Sequence, residues 1–189
     1  STLNEKFRKP ISNQFKSRYD YWKKMEFSES QWIELSKHAE EKNLVFLSSP
    51  FSMQAFNLLK KIGMKAWKIS SGEFFNPEII DACVNTNKPI LLSTGMSSLK
   101  EIDNIVKKFK QKKKDFLLFQ TTSEYPLSLS RVGINIVDEF RKRYNCPVGL
   151  SDHSGTIFPS IVCFSLMINA IEVHVIFDKN MSGPDSQSS

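Results

Sequence analysis

Two histidines stand near the ends of neighbouring apolar segments, where their spacing lets them share one site. Along residues 171–177, strand geometry places alternate side chains on the same face, so Glu172 and His174 lie together. In the preceding apolar segment, the same counting places Ser151 and His153 on one face. Neutral imidazoles are good ligands for a divalent cation, and two of them leave coordination positions open for water and a substrate oxygen. The alternative is a pair of hydrogen-bonded core histidines.

A lysine inside a strand is the second candidate for chemistry. Lys68 lies on the face opposite Trp67, and an inward-facing ammonium is costly unless an anion pairs with it. Hydroxyl groups and backbone amides at strand ends would complete such an anion site. The set suited to phosphate or carboxylate is Lys68 with Ser71, Ser93 and Ser151. The alternative is a lysine whose ammonium reaches solvent.

A glutamate follows the lysine-bearing strand. Glu73 comes directly after Gly72 at the strand end, a place where a partly buried carboxyl can act as a general acid or base. By itself, the sequence is equally consistent with an exposed loop glutamate.

Alternating strands and helices must position these residues. Apolar runs predict strands at about 44–48, 64–70, 89–93, 115–120, 147–151 and 170–177. Helical patterns cover about 29–42, 51–62, 76–86, 98–112, 131–144 and 158–169. Ser28, Asn76 and either Ser97 or Ser98 mark helix starts. Six strands in alternation with six helices require a parallel sheet with right-handed crossovers.

The strand ends decide between the two architectures that have such a sheet. Nearly every predicted strand runs into polar residues, as in a (β/α)8 barrel, where reactive groups cluster at the C-terminal ends of the strands. A doubly wound sheet would instead have a glycine-rich phosphate loop near one switch point, and the sequence has no such fingerprint. We therefore predict an α/β fold of the TIM-barrel type with about six of its eight βα units. Residues 1–27 are predicted to form an N-terminal arm or loop, and residues 28–189 a partial catalytic barrel domain.

Composition excludes several classes of protein. The sequence has 189 residues, 40% of them hydrophobic, which is enough for one globular domain. Its three cysteines have no paired spacing, and no signal peptide or membrane-length apolar run is present, so we expect a cytoplasmic protein without a membrane partner. The net charge of +6 comes largely from lysines within residues 107–114. They follow a helical pattern and suit a solvated helix C-terminus better than a nucleic-acid site.

Six short motifs follow one another along the chain: KISSGE at 68–73, LSTGM at 92–96, TSEYP at 122–126, GLSDHS at 149–154, EVH at 172–174 and GPD at 183–185. In order and spacing they resemble the N-acetylneuraminate (sialic acid) synthase family, which includes legionaminic and pseudaminic acid synthases and spore-coat polysaccharide enzymes. The likeness spans about residues 17–189. One such motif would be weak evidence, whereas six in sequence are highly specific.

The resemblance implies an activity and assigns roles. Phosphoenolpyruvate would attack the aldehyde of open-chain N-acetylmannosamine or a relative, and phosphate would leave by C–O cleavage. His153 and His174 would hold a divalent metal, usually Mn²⁺, with Mg²⁺ or Co²⁺ as alternatives, and Glu73 would be the acid–base residue. The implied substrate-binding residues are Lys68, Ser71, Ser93 and Ser151 for phosphoenolpyruvate, Ser49, Ser123 and Tyr125 around it, and Asp185 for the sugar. The intact family enzyme is expected to be a homodimer.

The sequence also departs from the family pattern. Val173 stands where a basic residue is common, Asn169 where glycine is common, and Ser186 where histidine is frequent. The family's first two barrel strands and its C-terminal antifreeze-like domain have no counterpart in this sequence, so we expect a fragment or trimmed chain without synthase activity of its own.

Two other interpretations stay open. One is a phosphoenolpyruvate-condensing barrel that extends arabinose 5-phosphate or erythrose 4-phosphate, against which the motif order argues. The other is a non-catalytic remnant that only binds partners.

Overall fold

The computed structural model describes residues 17–181, 183 and 185–189. Its helices are α1 Arg18–Met25, α2 Glu29–Glu41, α3 Met53–Ile62, α4 Pro77–Val84, α5 Leu99–Gln111, α6 Ile134–Tyr144 and α7 Phe158–Ser165. Its strands are β1 Trp67–Ile69, β2 Ile90–Ser93, β3 Phe116–Thr121, β4 Val148–Asp152 and β5 Ala170–Val173. From α3 to β5, helices and strands alternate as predicted.

The five strands form one parallel sheet in the order β1-β2-β3-β4-β5, so each strand lies beside its neighbour in sequence. In a flat sheet the outer strands would be about 19 Å apart, four spacings of about 4.8 Å. A lysine and a glutamate side chain together are shorter than that separation. Nevertheless Lys68 Nζ of β1 lies 3.2 Å from Glu172 Oε2 of β5. The sheet is therefore curled into an open half-barrel of five strands, where about six of the eight βα units of a barrel were predicted.

The predicted strand at 44–48 is absent from the structure. Residues 44–50 have no regular secondary structure, and the side chains of Leu44 and Val45 are largely exposed. An apolar run reports a tendency to form a buried strand, but a strand exists only where a neighbouring backbone completes its hydrogen bonds. The segment gains no such partner within the described residues, so the prediction of six strands was wrong by one.

Helix starts follow the sequence signals. Ser28 and Gln31 form a reciprocal capping box at α2, and Ser98 and Glu101 do so at α5. Asn76 accepts a hydrogen bond from the first turn of α4, where proline follows it. Within the segment predicted as an arm, residues 18–25 form helix α1, while residues 1–16 lie outside the described part of the chain.

The core lies between the sheet and the helices that cover its outer face. Outward-facing strand residues such as Trp67, Ile90 and Leu118 are at most 1% exposed, and the Trp67 ring stacks on Phe56 of α3. Period-two alternation then turns the intervening side chains, Lys68 among them, toward the inner face. The apolar packing on one face thus presents polar side chains on the other.

Strand β5 ends at Val173, four residues before the predicted end at 177, and the segment after it exposes apolar side chains, as does helix α7. Val175 and Phe177, which the sequence pattern assigned to the outer face with Val173, are 84% and 102% exposed, and Phe164 of α7 is also largely exposed.

The helices of the described residues include none with the length and apolarity needed to cross a bilayer.

Gly149 is required for close packing between β4 and its neighbours. A Cβ there would meet the Phe119 ring at 2.6 Å and the Ala170 carbonyl oxygen at 2.7 Å. We expect Gly149→Ala to lower the free energy of unfolding by about 1–3 kcal/mol, because backbone as well as side chain must shift. The control is Gly72→Ala, since no atom lies within 4 Å of a Cβ at that position. Urea denaturation measures both, and equal midpoints would contradict the assigned register.

Candidate functional site

The concave inner face of the sheet encloses a cavity of about 420 Å³ at the C-terminal ends of the strands. Most of the sequence-predicted site residues line it. They are Lys68, Ser71, Ser93, Ser123, Tyr125, Ser151, His153 and His174. Strand ends from β1 to β5 therefore converge as expected for one face of a parallel barrel.

Lys68 is the centre of one group of polar side chains. Its ammonium donates a hydrogen bond to Ser93 Oγ at 2.7 Å and is paired with the Glu172 carboxylate, and it lies 5.4 Å from the centroid of the Phe119 ring. Glu172 in turn accepts a hydrogen bond from Ser151 Oγ at 2.7 Å. Two of the predicted anion-binding residues, Lys68 and Ser151, thus contact a carboxylate that belongs to the protein.

Gly95 allows the loop after β2 to approach two serines. A Cβ at this position would overlap the hydroxyl oxygens of both Ser71 and Ser123. The Ser71 hydroxyl is buried and has no hydrogen-bond partner among the described residues. A buried hydroxyl without a partner leaves donor and acceptor capacity for a ligand.

His153 is held in a defined orientation. Its Nδ1 donates to the backbone carbonyl of Thr122 at 2.9 Å, since a carbonyl oxygen can only accept, which leaves Nε2 as the acceptor nitrogen of the neutral ring. Nε2 lies 3.1 Å from Tyr125 Oη and 3.4 Å from Ser151 Oγ. Burial lowers the pKa of His153, and the nearby His174 lowers it further. The hydrogen bond to the Thr122 carbonyl acts in the opposite direction and raises this pKa.

The second histidine lies beside the first. The ring centroids of His153 and His174 are 5.2 Å apart, and His174 Nδ1 lies 3.6 Å from Asp185 Oδ2. The Tyr125 ring stacks on His153 and meets His174 edge-on. Burial first, and then the charges of Asp185 and Glu172, raise the pKa of the Tyr125 phenol.

The side chains around the two histidines supply only part of the ligands that a divalent cation needs. Among the residues that the structure describes, no cluster of three or more histidine, cysteine, aspartate or glutamate side chains could hold a metal ion. His153 and His174 nevertheless offer two neighbouring imidazoles, and the carbonyl partner of His153 orients its Nε2 as in metal-binding histidines. This set suits a cation whose remaining ligands are water and substrate oxygens.

Three predicted site residues lie away from this cavity or at its rim. Glu73 accepts a hydrogen bond from Asn76 Nδ2 at 2.7 Å, beside the start of α4, and does not line the cavity. Ser49 is partly buried in the irregular segment before α3 and does not line the cavity either. Asp185 lies next to His174.

Sequence reasoning gave no role to Glu172, Phe51 or Met96, which also line the cavity. Strand parity had placed Glu172 on the inner face, so its position was available from the sequence. The partner that it contacts across the sheet was not.

Comparisons with known proteins agree with this fold. An N,N'-diacetyllegionaminic acid synthase of Campylobacter jejuni is 37% identical over 169 residues, which are 88% of this chain and 51% of that protein. The crystal structure of an N-acetylneuraminic acid synthetase from Leptospira borgpetersenii superimposes with a TM-score of 0.83 at 30% identity, covering 87% of this chain and 57% of that one. A truncated 3-deoxy-D-arabino-heptulosonate 7-phosphate synthase from Thermotoga maritima gives 0.73 at 16% identity over 87% of this chain and 66% of that one, a likeness of fold alone.

The fold and the cavity define a parallel α/β half-barrel with its polar residues at the C-terminal strand ends, as in barrel enzymes. The model of the NeuB family matches residues 1–189. The chain belongs to the NeuB family, as its motifs indicated. It spans about half the length of the curated relatives that it matches.

The lowered pKa of His153 predicts a pH effect on stability. Below about pH 6.5 the unfolded imidazole binds a proton before the folded one, so the free energy of unfolding falls as the pH decreases toward the folded pKa. We expect His153→Gln to reduce this slope in urea denaturation between about pH 5 and about pH 7.5. His38→Gln, on the exposed surface of α2, is the control, and an unchanged slope in His153→Gln would contradict the assignment.

Proposed function

We propose that this chain carries the phosphoenolpyruvate-binding and metal-binding part of a nonulosonic acid synthase. In the proposed reaction, phosphoenolpyruvate condenses with an N-acetylated amino sugar such as N-acetylmannosamine, and phosphate leaves by C–O cleavage. The observation that carries the proposal is the convergence of Lys68 and Ser151 on one carboxylate, with Ser93 hydrogen-bonded to Lys68 and a pair of histidines nearby, in a chain of the NeuB family.

The anion-binding role rests on charge and burial. Only 13% of the Lys68 side chain is exposed, so its ammonium has lost most of its hydration and favours an anionic partner. Ser93 and Ser151 are nearly fully buried, and the hydroxyl of Ser71 has no partner among the described residues. In the proposed function these groups bind the phosphate and carboxylate of phosphoenolpyruvate beside Ser123, and a contact from Ser49 would require its segment to move toward the cavity.

The histidine pair would hold a divalent cation, with Mn²⁺ proposed first. When bound, such an ion supplies Lewis-acid polarisation of the sugar aldehyde oxygen. His153 presents Nε2 once the Tyr125 hydroxyl moves aside, and Asp185 is close enough to orient His174. Tyr125 and Asp185 would then contact the sugar next to the ion.

Glu73 is proposed as the acid–base residue. It lies at the end of β1, after Lys68, and its hydrogen bond from Asn76 fixes one carboxylate oxygen. Its contact with the reacting atoms would require the side chain to turn from Asn76 toward the cavity.

A barrel enzyme that condenses phosphoenolpyruvate with a sugar phosphate is the second candidate, because the Thermotoga maritima structure has the same fold. Calorimetric titration with N-acetylmannosamine, arabinose 5-phosphate and erythrose 4-phosphate, each in the presence of phosphoenolpyruvate, separates the two. The proposal requires the amino sugar to be the preferred acceptor.

The anion site can be tested by calorimetry with phosphoenolpyruvate. Binding is the measurement because the chain spans about half the length of its curated relatives. We expect Lys68→Ala to weaken binding by at least about tenfold, the effect of losing roughly 1.4 kcal/mol of interaction. Lys112→Ala, at the exposed C-terminal end of α5, is the matched control and should have little effect. Equal effects of the two substitutions, or no binding by the unaltered chain, would contradict the proposal.

The metal site is tested separately from catalysis by the electron paramagnetic resonance signal of free Mn²⁺. We expect His153→Gln and His174→Gln each to weaken Mn²⁺ binding by at least about tenfold, since even outer-shell partners have effects of that size. His38, the third histidine of the sequence, provides the control His38→Gln. Mn²⁺ binding that survives the double substitution of His153 and His174 would overturn the assignment.

A further inference from the structure

Glu172 occupies the position that the proposed function gives to a substrate anion. One of its carboxylate oxygens lies 3.2 Å from Lys68 Nζ, and the other accepts the hydrogen bond from Ser151 Oγ at 2.7 Å. The register between β4 and β5 places Ser151 directly beside Glu172, and the curl of the sheet brings Lys68 to the same point. The carboxylate therefore engages two of the donors that would bind the substrate anion.

The two partners of this ion pair differ in their freedom to move. The Lys68 side chain is 13% exposed and is fixed further by Ser93 and by the face of the Phe119 ring. The Glu172 side chain is 41% exposed. When a ligand arrives, Glu172 is thus the partner that can turn into solvent, while Lys68 stays in place.

The charges require such a movement. Across residues 17–181, Lys68 is the one cation with which Glu172 is paired. A second anion bound to Lys68 with Glu172 still in contact would place two like charges side by side in a poorly hydrated site. Ligand binding and the Lys68–Glu172 contact therefore exclude each other.

We propose that Glu172 is an internal competitor of the substrate anion and sets a threshold for its binding. A simple anion only replaces the contacts that Glu172 gives up. A ligand with two anionic groups, such as phosphoenolpyruvate, gains further contacts, for example with the unpartnered hydroxyl of Ser71. Glu172 thus lowers the apparent affinity for every anion that displaces it by the same factor, and the further contacts of phosphoenolpyruvate let it bind despite this cost. This inference rests on the anion site of the proposed function.

The test is calorimetric titration of the full chain with phosphoenolpyruvate and with inorganic phosphate. Glu172→Gln keeps the shape of the side chain and removes its charge, so we expect the affinities for phosphate and for phosphoenolpyruvate to rise by a similar factor of about ten or more. The matched control is Glu139→Gln, a glutamate of similar exposure that is paired with Arg143 on α6. Glu172→Asp, which retains the charge, is expected to stay closer to the unaltered chain than Glu172→Gln.

Thermal denaturation gives an independent measurement. Without ligand, Glu172→Gln leaves the Lys68 ammonium without its anionic partner, so its Tm is expected to lie below that of the unaltered chain. Phosphate should then raise the Tm of Glu172→Gln more than that of the unaltered chain. The reason is that the free energy by which a ligand stabilises the folded state increases with its affinity for that state.

The outcomes separate the two proposals. If Glu172→Gln binds phosphate no more tightly, or loses phosphoenolpyruvate binding, the competitor role is overturned. The anion site itself still stands if phosphoenolpyruvate binds to the unaltered chain and the Lys68→Ala substitution abolishes that binding. If neither ligand binds to the unaltered chain or to Glu172→Gln, the anion site fails and both proposals fall with it.

Discussion

The burial of one face of strands β1 to β4 against the surrounding helices is the constraint on which the site depends. Trp67, Ile90, Leu118 and Val148 are all within 1% of complete burial, and together they hold the outer surface of the sheet in a tightly packed layer. At about 25 cal/mol per Å² of apolar surface, this layer is the main favourable term available to a domain of this size. Alternation along each strand then leaves only the inner face for groups that cannot be buried among apolar atoms.

The curl of the sheet turns this inner face into a site. Polar side chains on separate strands would be isolated on a flat surface, yet Lys68 and Glu172 contact each other from opposite edges of the sheet. In turn, their contact offsets part of the cost of placing an ammonium in a poorly hydrated position. At an effective dielectric constant of 20, two unit charges about 4 Å apart interact by roughly 4 kcal/mol. The electrostatic complementarity of the inner face and its curvature therefore support each other.

Strand β4 joins the two halves of the candidate site. Ser151 contacts the Glu172 carboxylate through its hydroxyl and lies 3.4 Å from Nε2 of His153. His153 is held by the Thr122 carbonyl and faces Tyr125 on its other side. An anion bound near Lys68 and a cation bound between the histidines would accordingly be neighbours, as a reaction between an anionic substrate and a polarised carbonyl group requires.

The sequence by itself determined the type of each helix and strand that forms from α2 onward, and the face on which the strand side chains lie. Parity placed Glu172 and His174 on the inner face and Val175 on the outer face, because side-chain direction in a strand is a local property of the backbone. Only the tertiary structure decided pairing and contact. Residues 44–47 are apolar but pair with no strand in the described part of the chain, and the approach of Glu172 to Lys68 depends on the accumulated curl of five strands. Glu73 is a similar case. Its position after β1 could be predicted from the sequence, but its hydrogen bond from Asn76 depends on how the following helix begins. The local sequence pattern fixes the direction of each side chain, whereas the distance between side chains on different strands is a property of the whole sheet.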